Sequence, residues 1–336
     1  MVSAAATLPR SQAVEHRIFS LCVLSGCTWV CFRSLKNYGY EGPWLRIDQI
    51  MSFSADPPFG HRLLFVLLAK AVKGVFPAFS DMKCFLFSQL AAILLALGAI
   101  RKWGELFVPA GLESLPQLLL VLIVLPTMSY FNFFDFGILF TFSACLFFLV
   151  RDRFLPYLLL LGLGTLNHEN SALLIPVFVA VSVGVKPLNR RFWIRLVLQG
   201  LVYGAVRLLL FVVLPAHQGL TPRLGTNLNL LSHELPMLGH RYLGTVFWYA
   251  IALLGLRHAP GVLRRCTILL PLLFVTSLVY GELNETRLFD AFIPIVVALV
   301  CCYFSRRLLG RDPVLEPGEE SSEIQIAQPA KAGRRK

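Results

Sequence analysis

The chain has 336 residues, of which 56% are hydrophobic and only 15% charged, with a mean hydropathy of +0.68. Soluble domains average about half apolar and about a quarter charged, so this composition excludes a large soluble catalytic domain and points to an all-α, polytopic transmembrane helical bundle. The net charge of +12 would suggest nucleic acid on a soluble protein. On a membrane protein Lys and Arg mark the loops held in the cytoplasm, so no nucleic-acid partner is expected.

Residues 1–17 form a basic N-terminal segment, and the first apolar run covers 18–32. Leu24-Ser25-Gly26-Cys27 resembles a lipoprotein cleavage box, but the apolar stretch before it is short for a signal sequence. The run therefore reads as an uncleaved first membrane helix. The loop that follows carries Asp48 and Asp56, then Pro57-Pro58-Phe59-Gly60-His61-Arg62. A carboxylate next to an arginine-bearing helix suits deprotonation of an acceptor hydroxyl while the cation takes a phosphate. The alternative is a solvated loop acid. Segment 61–79 places Arg62, Lys70 and Lys73 on one helical face with Leu63, Leu64, Leu67 and Leu68 elsewhere. That pattern predicts an outer-face helix lying in the interface plane, entered by the Pro57-Pro58 breaker.

Further apolar runs cover 82–100, 115–131, 134–150, 154–166, 170–185, 192–214, 242–256, 267–281 and 286–304, giving about ten spans in all. With alternating sides, twenty Lys and Arg fall on one face and eight on the other, which places both termini in the cytoplasm. The runs 154–166 and 170–185 are short against the ~20 residues of a full crossing. Joining them would put Arg151 and Arg153 on the opposite side from Lys186 and Arg190, so they read as a hairpin. Its turn, Asn167-His168-Glu169-Asn170, then lies below the outer surface, where only protein or a water-filled cavity tolerates it. Glu282 to Arg287 repeats the arrangement between the last two spans. Residues 305–336 are polar and read as a disordered cytoplasmic tail. The eight cysteines sit in or beside apolar runs and read as small core residues, not a disulfide framework.

Outside the basic loops, polar residues gather on one side of this arrangement. Glu169 is a candidate general base or a group that orients a hydroxylated substrate, with His168 as acid or hydrogen-bond donor. The plainer alternative is a turn in which Asn167, Asn170 and Glu169 cap two helices. Glu285 and Arg287 either pair or hold an anionic headgroup between them. Arg207, inside the seventh span, is expected to bind a ligand phosphate or to pair with Glu169 or Glu285. Asp135, after the aromatic run 130–134, reads as a helix N-cap. The spacings carry no zinc motif, and a divalent metal stays open as a cofactor.

An aspartate-bearing first outer loop, an interfacial helix after it, and later turns carrying Asn-His-Glu-Asn and Glu-x-x-Glu-x-Arg resemble the polytopic GT-C glycosyltransferase superfamily and its small bacterial relatives. The resemblance covers most of 18–304 in layout, although the contiguous acidic pair of the superfamily is missing. It implies an enzyme of the bacterial inner membrane that moves a sugar from a polyprenyl-phosphate donor to an extracytoplasmic acceptor. Asp56 or Asp48 would be the base, with Arg62, Arg207 or Arg287 on the donor phosphate. The absence of a Gly-rich phosphate loop agrees with a lipid-linked donor. The competing expectation is a transporter or flippase of lipid-linked intermediates, using the same Arg and Glu residues.

Overall fold

A computed structural model describes residues 10–38, 47–54, 62–127, 134–183, 188–214, 222–281 and 286–310. Among these the chain is all-helical, and five helices are long and apolar enough to cross a membrane. Helix α1 (Arg10–Tyr38) is longer than the apolar run that announced it. It is followed by the short α2 (Ile47–Met51), by α3 (Leu64–Val75) and by α4 (Asp81–Gly104). Four shorter helices succeed them: α5 (Leu115–Val124), α6 (Asp135–Val150), α7 (Phe154–Asn167) and α8 (Leu174–Val183). The second half holds α9 (Arg190–Val213), α10 (Leu224–Asn229), α11 (Leu235–Gly255), α12 (Gly261–Cys266), α13 (Leu269–Tyr280) and α14 (Ile293–Leu309).

Start and stop signals explain several boundaries. Ser80 accepts a hydrogen bond from the Lys83 N–H at the start of α4, and Asn189 accepts one from the Phe192 N–H at the start of α9. Gly310, at φ +61°, ends α14 in the left-handed conformation that glycine adopts without strain. Asp135 does not cap α6 as the sequence suggested. The cap position is Phe134, with no side-chain bond, and Asp135 is buried in the first helical turn.

The core runs through α4, α5, α6 and α14, with Ile93, Leu97, Phe142, Val296 and Val300 fully enclosed. Helix α9 is the opposite case: Leu201, Leu208, Phe211 and Val212 are exposed along a long apolar helix, as expected of a surface that faces lipid. All eight cysteines are unpaired and seven are buried, Cys22 being exposed.

Cross-bundle bonds define two ends. At one, the loop after α4 is touched by α1, through His16 and Glu113 at 2.9 Å and Ser114 to Ser20 at 3.4 Å, and by α14, through Ser305 Oγ donating to Phe107 O at 3.1 Å. The turn between α6 and α7 and the start of α9 share this end through Arg195 and Asp152, 2.6 Å apart. At the other end, the Leu63 N–H donates to Leu166 O at 2.7 Å, Asn167 Nδ2 donates to Phe134 O at 3.1 Å, and Asn227 Nδ2 donates to the carbonyls of Ser277, Leu278 and Gly281.

Candidate functional site

The site forms where α7 stops. The last carbonyls of a helix lack intrahelical partners, and here the Leu63 N–H supplies one to Leu166 O. That single bond brings the chain entering α3 against the turn after α7, and Arg62 is carried in with it. Arg62 therefore precedes α3 and is 5% exposed, in place of the water-facing position that the helical pattern of 61–79 gave it.

Its Nη2 donates to Glu169 Oε1 at 3.1 Å, and its guanidinium lies 5.7 Å from the centre of the Phe134 ring. His168 adopts an extended backbone at the head of a 3₁₀ turn (Glu169–Leu173), and its Nδ1 accepts the Asn170 N–H at 3.1 Å. With Nδ1 engaged as acceptor, the neutral imidazole carries its proton on Nε2. That nitrogen lies 3.7 Å from Glu169 Oε1, so the same carboxylate oxygen faces both Arg62 and His168.

Burial by itself would raise the Glu169 carboxyl. The neighbouring His168 and Arg62, with hydrogen bonds from its own backbone N–H and from Arg62, outweigh that and hold it well below the usual carboxylate range. A carboxylate so held is a weak proton acceptor at neutral pH and a strong anchor for a guanidinium.

Asn167 is fully buried, with Nδ2 bound to Phe134 O, and among the described residues its Oδ1 has no hydrogen-bond partner. Space for it comes from Gly137, where a Cβ would fall 2.5 Å from both Asn167 Nδ2 and Phe65 Cε2. On α9, Tyr203 donates its hydroxyl to Glu169 O at 3.4 Å, and Arg207 lies one turn further along. Val206, Leu210 and Leu214 pack with Leu63 and Leu166, which keeps this stretch of α9 beside the site. Arg207 has not paired with Glu169. Its Nη1 is buried and has no hydrogen-bond partner among the described residues.

The structure thus brings together Arg62, Asn167, His168, Glu169 and Asn170, with Arg207 alongside. Asp48 lies on the exposed face of α2, whose Ile47, Ile50 and Met51 pack with Val66 and Phe134 at the same end of the bundle. Asp56, His61, Glu282 and Glu285 lie outside the described residues, as does the side chain of Arg287. Phe134, Gly137 and Tyr203 were missed in the sequence. Phe134 ends the aromatic run before Asp135, Gly137 sits among ordinary apolar helix residues, and Tyr203 is one tyrosine on a mostly exposed apolar helix, so only the fold brings them to the site. No group of three or more His, Cys, Asp or Glu positioned for a metal ion occurs among the described residues.

Fold and site together define an all-helical membrane protein with a charged cluster at one end of its bundle. No protein-family model matches the chain, and no curated protein or solved structure matches it.

Proposed function

We propose that the chain is an integral membrane glycosyltransferase that moves a sugar from a polyprenyl-phosphate donor to an extracytoplasmic acceptor. The observation that carries this reading is the enclosed Arg62, fixed by Glu169 with His168 beside it, next to an Arg207 whose Nη1 is buried without a hydrogen-bond partner among the described residues. Two guanidinium groups and one imidazole N–H gathered at one end of the bundle would receive a phosphate that gains charge as its bond to the sugar breaks. In the transfer, the acceptor oxygen attacks the anomeric carbon, the carbon–oxygen bond to the phosphate breaks, and the electron pair leaves with the lipid phosphate. The acceptor proton passes to a carboxylate of the first loop, Asp56 or Asp48. Glu169 serves to hold Arg62. Asn167 and Asn170 shape the turn, while His61, Glu285 and Arg287 complete the donor side.

The same reading includes ten spans, an interfacial α3, and both termini on the cytoplasmic side of a bacterial inner membrane. It is supported by the concentration of Arg101, Lys102, Arg151, Arg153, Arg190 and Arg191 away from the Arg62 cluster. A divalent metal, if used, would find its carboxylates in the first loop.

The test is a transfer assay with the purified protein and polyprenyl-phosphate sugars, following release of polyprenyl phosphate together with binding of the lipid. Saturable binding and sugar release are expected, with release cut at least ~10²-fold by Arg207→Gln, the usual cost of losing one charge-stabilising donor. Binding with translocation of the intact sugar lipid would favour the flippase instead, and no binding at all overturns both.

A further inference from the structure

The end of the bundle remote from Arg62 holds a second constellation that the transfer reading does not use. The turn between α6 and α7 carries Asp152 at φ +52°, a left-handed backbone that a non-glycine residue rarely adopts. Its carboxylate takes the Arg195 guanidinium at 2.6 Å, and that group lies 5.0 Å from the Phe154 ring centre. Arg195 is thereby neutralised and fixed. Arg190 and Arg191, in the first turn of the same helix, are exposed, and among the described residues neither has a hydrogen bond or ion pair through its side chain.

Between these arginines and the start of α7 lies an open groove of about 770 Å³. Its charged rim is Arg190, Arg191 and Arg195 together with Asp152, whose carboxylate is taken up by Arg195, and its apolar wall is Phe154 with Leu155, Ile194 and Leu198, the last three exposed. The wall continues along the two helices through Leu159 and Leu201, also exposed. Because α9 is long and apolar enough to cross a membrane and little of it is buried in the bundle, this wall faces the hydrocarbon while the rim lies at its edge. An occupant that satisfies both surfaces carries a negative head and an apolar tail. An acidic peptide or a nucleic acid would fill the rim and leave the wall exposed.

We infer that the groove between the starts of α7 and α9 is a binding site for an anionic phospholipid, with its phosphate on Arg190 and Arg191 and an acyl chain along Leu155, Ile194 and Leu198. Basic pockets beside transmembrane helices favour anionic headgroups. The first-turn N–H groups of α9 add positive potential from the helix dipole. The inference requires only that the protein sits in a membrane, and it is independent of the transferase reading.

The test is a thermal-unfolding titration of the full-length, delipidated protein in neutral detergent with phosphatidylglycerol, phosphatidylcholine or glycerol 3-phosphate, with native mass spectrometry counting retained lipid. Phosphatidylglycerol should protect and be retained, and the other two should not. Removing both free charges in Arg190→Gln/Arg191→Gln should weaken that binding roughly thirty-fold, from about a five-fold contribution per arginine at a charged surface. Arg101→Gln/Lys102→Gln, which deletes two charges already engaged by Glu105, should bind as the wild type does. If the first variant does not fold, the wild type still decides: protection by phosphatidylglycerol must fall steeply between 0.1 and 1 M salt. Equal protection by phosphatidylcholine or by glycerol 3-phosphate, insensitivity to salt, or unchanged binding by the folded Arg190/Arg191 variant would overturn the inference.

Discussion

Arg62 and Glu169 depend on each other because both sit largely out of water, with side-chain exposures of 6% and 26%. Removing one partner leaves the other charged and desolvated. A fully buried pair loses about 3–5 kcal/mol in that way, and the partial exposure of Glu169 brings the expected loss for Glu169→Gln to about 2–3 kcal/mol in a detergent melting experiment. The pH dependence follows from the direction of its titration. Glu169 ionises more readily in the folded chain than in the unfolded one, so its contribution is complete above the unfolded value of about 4.3 and disappears as the pH falls below it. The stability gap between wild type and Glu169→Gln should therefore be constant from pH 8 to pH 5 and should close below about pH 4. A gap that already closes above pH 5 would show that Arg62 and His168 do not hold the Glu169 carboxyl ionised. Gly137 offers a second check: Gly137→Ala drives a methyl into Asn167 and Phe65 and should cost about 1–3 kcal/mol, while Asn167→Ala, by freeing that space, should lessen the penalty in the double variant. The turn was legible in the sequence because His and Glu at membrane depth are expensive and need a reason. Its partner was not, because Arg62 lies 107 residues away and its helical spacing with Lys70 and Lys73 pointed to water. What decides its position is a main-chain bond, Leu63 to Leu166, that leaves no trace in side-chain pattern.

At the level of elements, the short helices α7 and α8 were legible through charge, since the basic residues flanking them demand a hairpin and not one long helix. The length of α1 was not, because its polar ends, beginning at Arg10, continue the helix beyond the apolar run. Close helix approach was also hidden. Gly255, at the end of α11, leaves no room for a side chain: a Cβ there would lie 2.0 Å from Leu299 O on α14. Small residues let membrane helices pack backbone to backbone, but a lone glycine in an apolar run has no sequence signature of that role. Gly255→Ala must push α11 from α14, and the expected loss is about 3 kcal/mol or more, beyond ordinary overpacking because the obstacle is main chain. Gly98→Ala, where a Cβ meets nothing within 4 Å, should be neutral or slightly stabilising by helix propensity. Equal unfolding temperatures for the two variants would show that α11 and α14 do not approach in the way described.

For the whole molecule, the decisive property is that its two ends differ in kind. One gathers Arg101, Arg151, Arg153, Arg190 and Arg191 around the loop that receives α1 and α14, and the other gathers the Arg62 cluster under α2. If charge sets orientation, the basic end is cytoplasmic, and a lipid-linked donor then meets the Arg62 cluster from the far side. Cysteine labelling with a membrane-impermeant reagent decides between the two orientations. The background needs little engineering, since seven of the eight native cysteines are buried and Cys22→Ser removes the exposed one. Ser54→Cys follows α2 and Leu188→Cys precedes α9, and both positions are exposed. In intact cells Ser54→Cys should label at once, and Leu188→Cys only after the membrane is permeabilised. Labelling of both from one side would mean that the helices between them, α4 to α8, do not cross the membrane an odd number of times. The reverse pattern would put Arg62, His168 and Glu169 in the cytoplasm, where a polyprenyl-phosphate sugar presented outside cannot reach them, and the transferase reading would fall while the lipid groove at Arg190 and Arg191 would stand.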